Sequence, residues 1–339
     1  MTGDAVAPPP EWFDQGVPWH YGDPLAEQRA LAAGRAVVDL RHYSVISVSG
    51  PDRLGWLHDL TTAHLRELAA GSSRLALILD PNGRVQYELH LIDDGATTWL
   101  ITPDATGLVA YLDSMRFLLR VEVADRTADL AVLGVTGIDV VPVEARIAVW
   151  HVPPEFAGTG STDAGSDRGG DAGKYVPDRP GVFPAAEVIV ARSAVAQLLS
   201  GADRAGTWAW AALRVAAGVP RIGVDTDDRT LPNEVGWVGP AVHLDKGCYR
   251  GQEAVARTHN MGRPPRRLTK LLLADGDELP ATGAELYLDG RRVGRMGTVV
   301  VHHEEGPIAL ALIRSRIAPD AALETESGAA SQEPVVVVA

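Results

Sequence analysis

The sequence predicts an α+β fold that closes with a small β-barrel. Three observations carry that prediction: an antiparallel strand pattern in the first third, helical stretches interleaved with short strands through the middle, and a run of short strands from Leu268 onward. At 339 residues, 46% of them hydrophobic and 22% charged, the chain has apolar material for two or three domains.

Residues 1–19 open with MTGDAVAPPPEWFD and read, like 319–339, as loose tails. Val45, Ile46 and Val48 predict a strand. Gly50-Pro51-Asp52 then opens a helix that turns Leu54, Leu57, Leu60, Leu65 and Leu68 inward. Alternation of Leu75, Leu77 and Leu79, a turn at Asp80-Pro81-Asn82-Gly83, and alternation of Val85, Tyr87, Leu89 and Leu91 form the clearest β signal. A second turn at Asp93-Asp94-Gly95 leads to a strand around Trp99–Ile101, and a helix from about Asp104 carries Leu108, Leu112, Met115 and Leu119 on one stripe. The Gly/Ser/Asp segment 157–181 cannot build a core and is expected to be a mobile surface loop. Beyond it come a strand at Glu187–Val190, a helix near Val195–Leu199, and a helix from Thr207 stopped by Gly218 and Pro220. Asp289-Gly290 and Glu304–Pro307 divide the strands of the final section.

Charge and composition narrow the function. The chain carries 31 basic and 44 acidic residues, a net charge of −13, which opposes general attraction to nucleic acid or anionic lipid. No apolar run reaches the ~18 residues of a membrane span, and the start lacks a signal peptide's pattern, so a soluble cytoplasmic protein is expected. The single cysteine, Cys248, excludes an intramolecular disulfide and cannot by itself hold zinc or an iron–sulphur cluster. The histidines form no H-E-x-x-H pattern, so no metal site is expected, and neither a phosphate loop nor a dinucleotide fingerprint occurs.

The densest chemistry is Lys246-Gly247-Cys248-Tyr249-Arg250-Gly251-Gln252-Glu253. In an extended segment, Lys246, Cys248 and Arg250 share a face, and two cations favour the thiolate. Gly251 then opens a helix whose free N–H groups add to the effect. An inert, buried cysteine fits the spacing equally well.

This octapeptide resembles the K-G-C-Y-x-G-Q-E signature of the YgfZ-type folate-binding family, which supports iron–sulphur enzymes. That family is a branch of the superfamily of the glycine-cleavage T-protein, a tetrahydrofolate-dependent aminomethyltransferase. Gly34–Leu40 and Val48–Asp52 resemble the superfamily's opening segments. Leu213-Arg214-Val215-Ala216-Ala217-Gly218-Val219-Pro220 resembles its L-R-x-x-A-G-x-P, and Pro232-Asn233-Glu234 its P-x-E. The likeness covers roughly residues 20–318.

The resemblance implies a three-domain cloverleaf around a central folate cavity. Its expected divisions are an α+β first domain at 20–125, a second region at 126–262 interleaved with it, and a C-terminal barrel at 263–318. Lys246 and Cys248 are the implied reactive pair. Arg214, Glu234, Tyr249, Gln252, Glu253, Arg257 and Glu88 are the implied residues for tetrahydrofolate or a derivative. A pterin ring wants a flat apolar wall and a carboxylate for its amino–imino edge, and its glutamate tail wants cations, as the basic run Arg257, Arg263, Arg266 and Arg267 could supply. Two departures from the transferases stand out. Their paired aspartates fall on Tyr87 and Glu88, and Phe183 stands where they carry a glutamate that reads pterin. The implied function is a monomeric accessory protein for synthesis or repair of iron–sulphur clusters, with iron–sulphur enzymes or their assembly machinery as partners. The alternative is an aminomethyl- or demethyl-transferase of the T-protein type. A tRNA-modification partner is a third possibility, and the net charge weighs against it.

Overall fold

The computed structural model describes residues 3–157, 181–274 and 278–337. The predicted loop at 157–181 lies, apart from its ends, outside the described residues. The chain starts with α1 (Pro24–Ala32), with proline in its first turn and the Asp23 side chain accepting from the Ala26 N–H at 2.9 Å. It runs into β1 (Ala36–Asp39), whose sheet partners come much later in sequence.

The chain next builds one complete sheet. β2 (Ser44–Ser49), α2 (Arg53–Leu60), β3 (Ser73–Leu79), β4 (Val85–Asp93), β5 (Thr97–Thr102), α3 (Leu108–Ser114) and β6 (Glu122–Asp125) follow in order. The five strands pair antiparallel as β3-β4-β5-β2-β6. β7 (Leu130–Val135), β8 (Ala148–His151), α4 (Pro154–Ala157), β9 (Ala186–Ala191), α5 (Val195–Ser200) and β10 (Asp203–Ala205) return to β1. They complete a second sheet ordered β10-β1-β7-β9-β8, in which β1 and β10 run parallel. α6 (Thr207–Ala216) and α7 (Gln252–Met261) precede a closed barrel of β11 (Arg266–Leu273), β12 (Glu285–Leu288), β13 (Arg291–His302), β14 (Gly306–Arg314), β15 (Leu323–Thr325) and β16 (Gly328–Pro334).

Strand alternation explains how these parts join. On β3, Leu75, Leu77 and Leu79 enter a large shared core, while Ala76 and Ile78 face an outer core under α2 and α3. On β7, Leu130 and Val132 enter the shared core, while Ala131, Leu133 and Val135 face outward onto α5. The shared core also takes Ala209, Trp210 and Leu213 of α6 and Leu268, Val300 and Leu310 of the barrel. Both faces of each sheet are therefore buried, and the three units meet over α6.

Four expectations need correction. The N-terminal residues are not a loose tail: Trp12 Nε1 donates to Thr207 Oγ1 at 3.1 Å, and Asp14, 1% exposed, pairs with Arg221. At the other end, β16 pairs with β11 from Leu273↔Ala330 to Thr269↔Pro334, so residues beyond 319 close the barrel. An unpaired β11 edge explains why this segment is ordered despite its polar composition. The helix opened by Gly50-Pro51-Asp52, α2, stops at Leu60 rather than reaching Leu68, because Thr61 is extended and Thr62 Oγ1 instead bridges the Leu77 N–H and the Ala241 carbonyl. Leu65 and Leu68 reach the same core from irregular chain. Likewise α3 ends at Ser114; Phe117 lies at φ 48°, and Leu119 is exposed rather than part of the buried stripe.

Candidate functional site

A small cavity opens between the two sheets and α6. Its walls are largely apolar and aromatic: Tyr43, Trp150, Phe156, Phe183 and Trp210, with Phe183 edge-on to Trp210 at 4.9 Å. Into this wall β4 brings Glu88 and His90, two residues apart and so on one face of the strand, and β9 brings Glu187 from the opposite sheet.

These three groups form one array. His90 Nδ1 and Glu187 Oε2 are 2.7 Å apart, and His90 Nε2 lies 3.4 Å from Glu88 Oε1. The Ile222 N–H donates to Glu88 Oε2 at 3.1 Å. The imidazole stacks on Trp150 at 3.8 Å with planes 7° apart, and Trp150 is itself held by Nε1 donating to the Arg74 carbonyl. Burial opposes a charge on His90, but Glu187 and Glu88 outweigh it and raise the imidazolium to about 10. The array sets two carboxyl groups around one imidazolium.

Two arginines on the same wall are already committed. Arg214 donates to Asp225 Oδ2 at 2.6 Å, to the Val219 carbonyl at 2.5 Å and to Thr298 Oγ1 at 2.6 Å, which ties α6 to β13. Arg221 pairs with Asp14, its guanidinium lying over Phe13 at 4.6 Å and Tyr43 at 5.2 Å.

Of the nine site residues expected from sequence, the cavity wall contains Glu88 and Arg214. Glu234 turns instead to structure: it accepts from the Leu231 N–H and from Arg266 Nε and Nη2 at 2.9 and 2.8 Å, binding a 3₁₀ turn at Pro232–Glu234 to the first barrel strand. Arg266 also pairs with Asp227 at 2.6 Å, and Arg267 donates to Gln332, so two members of the basic run are occupied. Glu253 and Arg257 pair with each other at 2.8 Å on the exposed side of α7.

The signature octapeptide is not extended, and its side chains do not share a face. Lys246 is buried, whereas Cys248 and Arg250 are exposed. The Lys246 ammonium caps the end of α2, donating to the carbonyls of His58 and Thr61 and to that of Ala63 at 3.3 Å. Burial lowers it to about 8. Tyr249 lies with its ring 5.1 Å from that ammonium, and Gln252 Nε2 donates to the Lys246 carbonyl at 3.5 Å. The expected helix does start at Gln252, from Gly251 at φ 83°. That glycine packs so closely on the β3–β4 turn that a Cβ would sit 2.6 Å from the Asp80 carbonyl oxygen.

Sequence reasoning missed His90, Glu187, Trp150, Tyr43 and the Asp14–Arg221 pair. One signal was available: Glu88 and His90 at strand spacing share a face. It also treated Phe183 as the loss of a carboxylate, yet Glu187, four residues on, supplies one to the same wall.

With the geometry in place, comparison with known proteins is informative. Residues 8–143 match the family model of the GCVT N-terminal domain. The tRNA-modifying protein YgfZ of Edwardsiella ictaluri is 28% identical over 320 residues, covering 91% of this chain and 94% of that protein. The chain thus carries a match to the GCVT N-terminal domain and is similar to YgfZ proteins over nearly its whole length. An aminomethyltransferase of Streptomyces avermitilis is 24% identical over 95% of this chain and 90% of its own length. A chloroplastic protein of Arabidopsis thaliana named as a transferase is 27% identical, and the match spans 79% of this chain but 62% of that longer protein. The fold matches the glycine cleavage system aminomethyltransferase T of Bartonella henselae with a TM-score of 0.74 at 20% identity, over 98% of this chain and 93% of that one. Helices, two sheets and a closed terminal barrel are thus the T-protein architecture. Among the described residues no helix is long and apolar enough to cross a membrane.

Proposed function

We propose that this chain binds a reduced folate in the cavity between its two sheets and serves as an accessory protein in the synthesis or repair of iron–sulphur clusters in other enzymes. One observation carries the folate assignment: an aromatic-lined cavity whose polar centre is the pair Glu88 and Glu187 around His90. A pterin ring offers a flat apolar face to such walls and N–H donors to a carboxylate. The relatives named tRNA-modifying fit a role upstream of iron–sulphur enzymes that act on tRNA, and the net charge of −13 favours an indirect role over contact with RNA. In this reading Cys248 is an exposed thiol that meets a partner at the surface, and Lys246 holds its segment against α2.

Calorimetric titration with 5-formyltetrahydrofolate tests the first part, with saturable binding expected. Neither heat nor a thermal shift at millimolar ligand would overturn it. The transferase reading retains one argument, because Glu88 keeps a carboxylate on the cavity wall. Formation of methylene-tetrahydrofolate from an aminomethyl-lipoyl carrier would decide for it.

A further inference from the structure

The Glu88–His90–Glu187 array holds a detail that folate binding alone does not require. Glu187 Oε2 is engaged by His90, while Oε1 accepts no hydrogen bond from the chain among the described residues. Glu88, in contrast, has both oxygens engaged, by His90 and by the Ile222 N–H. The imidazole cannot swing, because it is gripped from two strands and lies flat on Trp150. We propose that His90 is a positioning residue for ligand recognition: it fixes Glu187 so that its second oxygen accepts from a ring N–H of a planar, nitrogen-rich heterocycle stacked in the cavity.

This inference rests on the folate reading and names what makes the pocket selective. The charged groups around His90 have separate duties. Glu88 is on its own strand and Glu187 on β9. Arg221, from the segment after α6, is neutralised by Asp14, and Arg214, from α6, by Asp225; Tyr43 adds a neutral phenol on the same wall. His90 is thus the cation set between two neighbouring carboxyl groups inside an apolar wall. Without it, two like charges would share an apolar wall, which favours a proton on one of them. Where that proton falls on Glu187, an acceptor becomes a donor facing the ligand's N–H.

The test compares 5-formyltetrahydrofolate binding by wild type and His90→Gln from pH 5.5 to 8.5. In the wild type, affinity should be flat over that range. In His90→Gln it should fall at least about tenfold at pH 7, the scale of one charge-assisted hydrogen bond, and weaken further as the pH drops. Equal affinity and an equally flat profile in His90→Gln would overturn the inference while leaving folate binding intact. If the wild type does not bind, the folate reading itself fails. Nitrogen-15 NMR of the wild-type imidazole, which is independent of how the variant folds, should show both ring nitrogens protonated up to pH 8.5. A His90 signal titrating near 6.5 would refute its part in the array.

Discussion

Arg214 offers a direct choice between a ligand-binding and a structural role. The resemblance to T-proteins assigns it to folate, whereas its guanidinium spans Asp225, the Val219 carbonyl and Thr298. Arg214→Ala removes the cation from Asp225, which is 2% exposed. Breaking a buried pair from one side costs about 3–5 kcal/mol. Here Asp225 retains two backbone donors, Arg221 N–H at 2.9 Å and Thr298 N–H at 2.7 Å. The residual charge is therefore partly satisfied, and we expect the lower end, about 3 kcal/mol. Arg214→Lys keeps the charge but not the fork, and should cost about 1.5 kcal/mol, one charge-assisted hydrogen bond. Urea unfolding of both variants measures these losses. In the Arg214→Ala background, Asp225→Asn should recover part of the deficit, because the stranded charge is gone. If Arg214→Ala instead unfolds like wild type and loses folate affinity, the structural argument is wrong and Arg214 belongs to the ligand.

Other expectations follow from the same geometry. His90 is raised from 6.5 to about 10, so its contribution to stability is complete below pH 6.5 and is lost as pH rises towards 10; the difference in unfolding free energy between wild type and His90→Gln should shrink from pH 6 to pH 9.5, and a constant difference would contradict the array. Gly83→Ala places a Cβ 2.9 Å from Ala254 Cβ at a φ of 78°, so the β3–β4 turn must lift off α7; a loss of about 1–3 kcal/mol in urea unfolding is expected. Ending the chain before Leu323 removes β15 and β16 and leaves the edges of β11 and β12 bare, which should yield aggregated material by size-exclusion chromatography. Cys248 is exposed, so iodoacetamide should alkylate it in the folded protein and Cys248→Ser should melt within 1 °C of wild type; protection until denaturation would show that the segment is buried.

What could be read from sequence was local. The β3–β4 hairpin, the strand at Glu187 and the helices from Gln252 and Thr207 follow from alternation, turn residues and helix stops, and the structure has them. The octapeptide led to the T-protein fold, and some of the site residues expected with it also take partners within the chain. Lys246 caps a helix and Glu234 holds a strand, partnerships that join residues far apart in sequence. The cavity was hidden for the same reason: Glu88 and Glu187 meet through His90 only once two sheets stack. The terminal segments misled because they are rich in Pro, Ala, Ser and Glu, while their places are set by a barrel edge and by Arg221, which no local pattern reveals.

The placement of β1 has a consequence for synthesis on the ribosome. Ala36 pairs with Asp203 and Val37 with Val135, while the whole intervening sheet from Ser44 to Asp125 folds from contiguous chain. As the protein emerges, that sheet can form early, but β1 must wait with both edges open until β7 and then β10 leave the exit tunnel. Val37 and Val38, fully buried in the finished protein, are exposed through that interval. Nascent chains stalled before residue 200 should therefore recruit chaperones to the N-terminal segment, and their release should follow the appearance of β10 rather than completion of the first sheet.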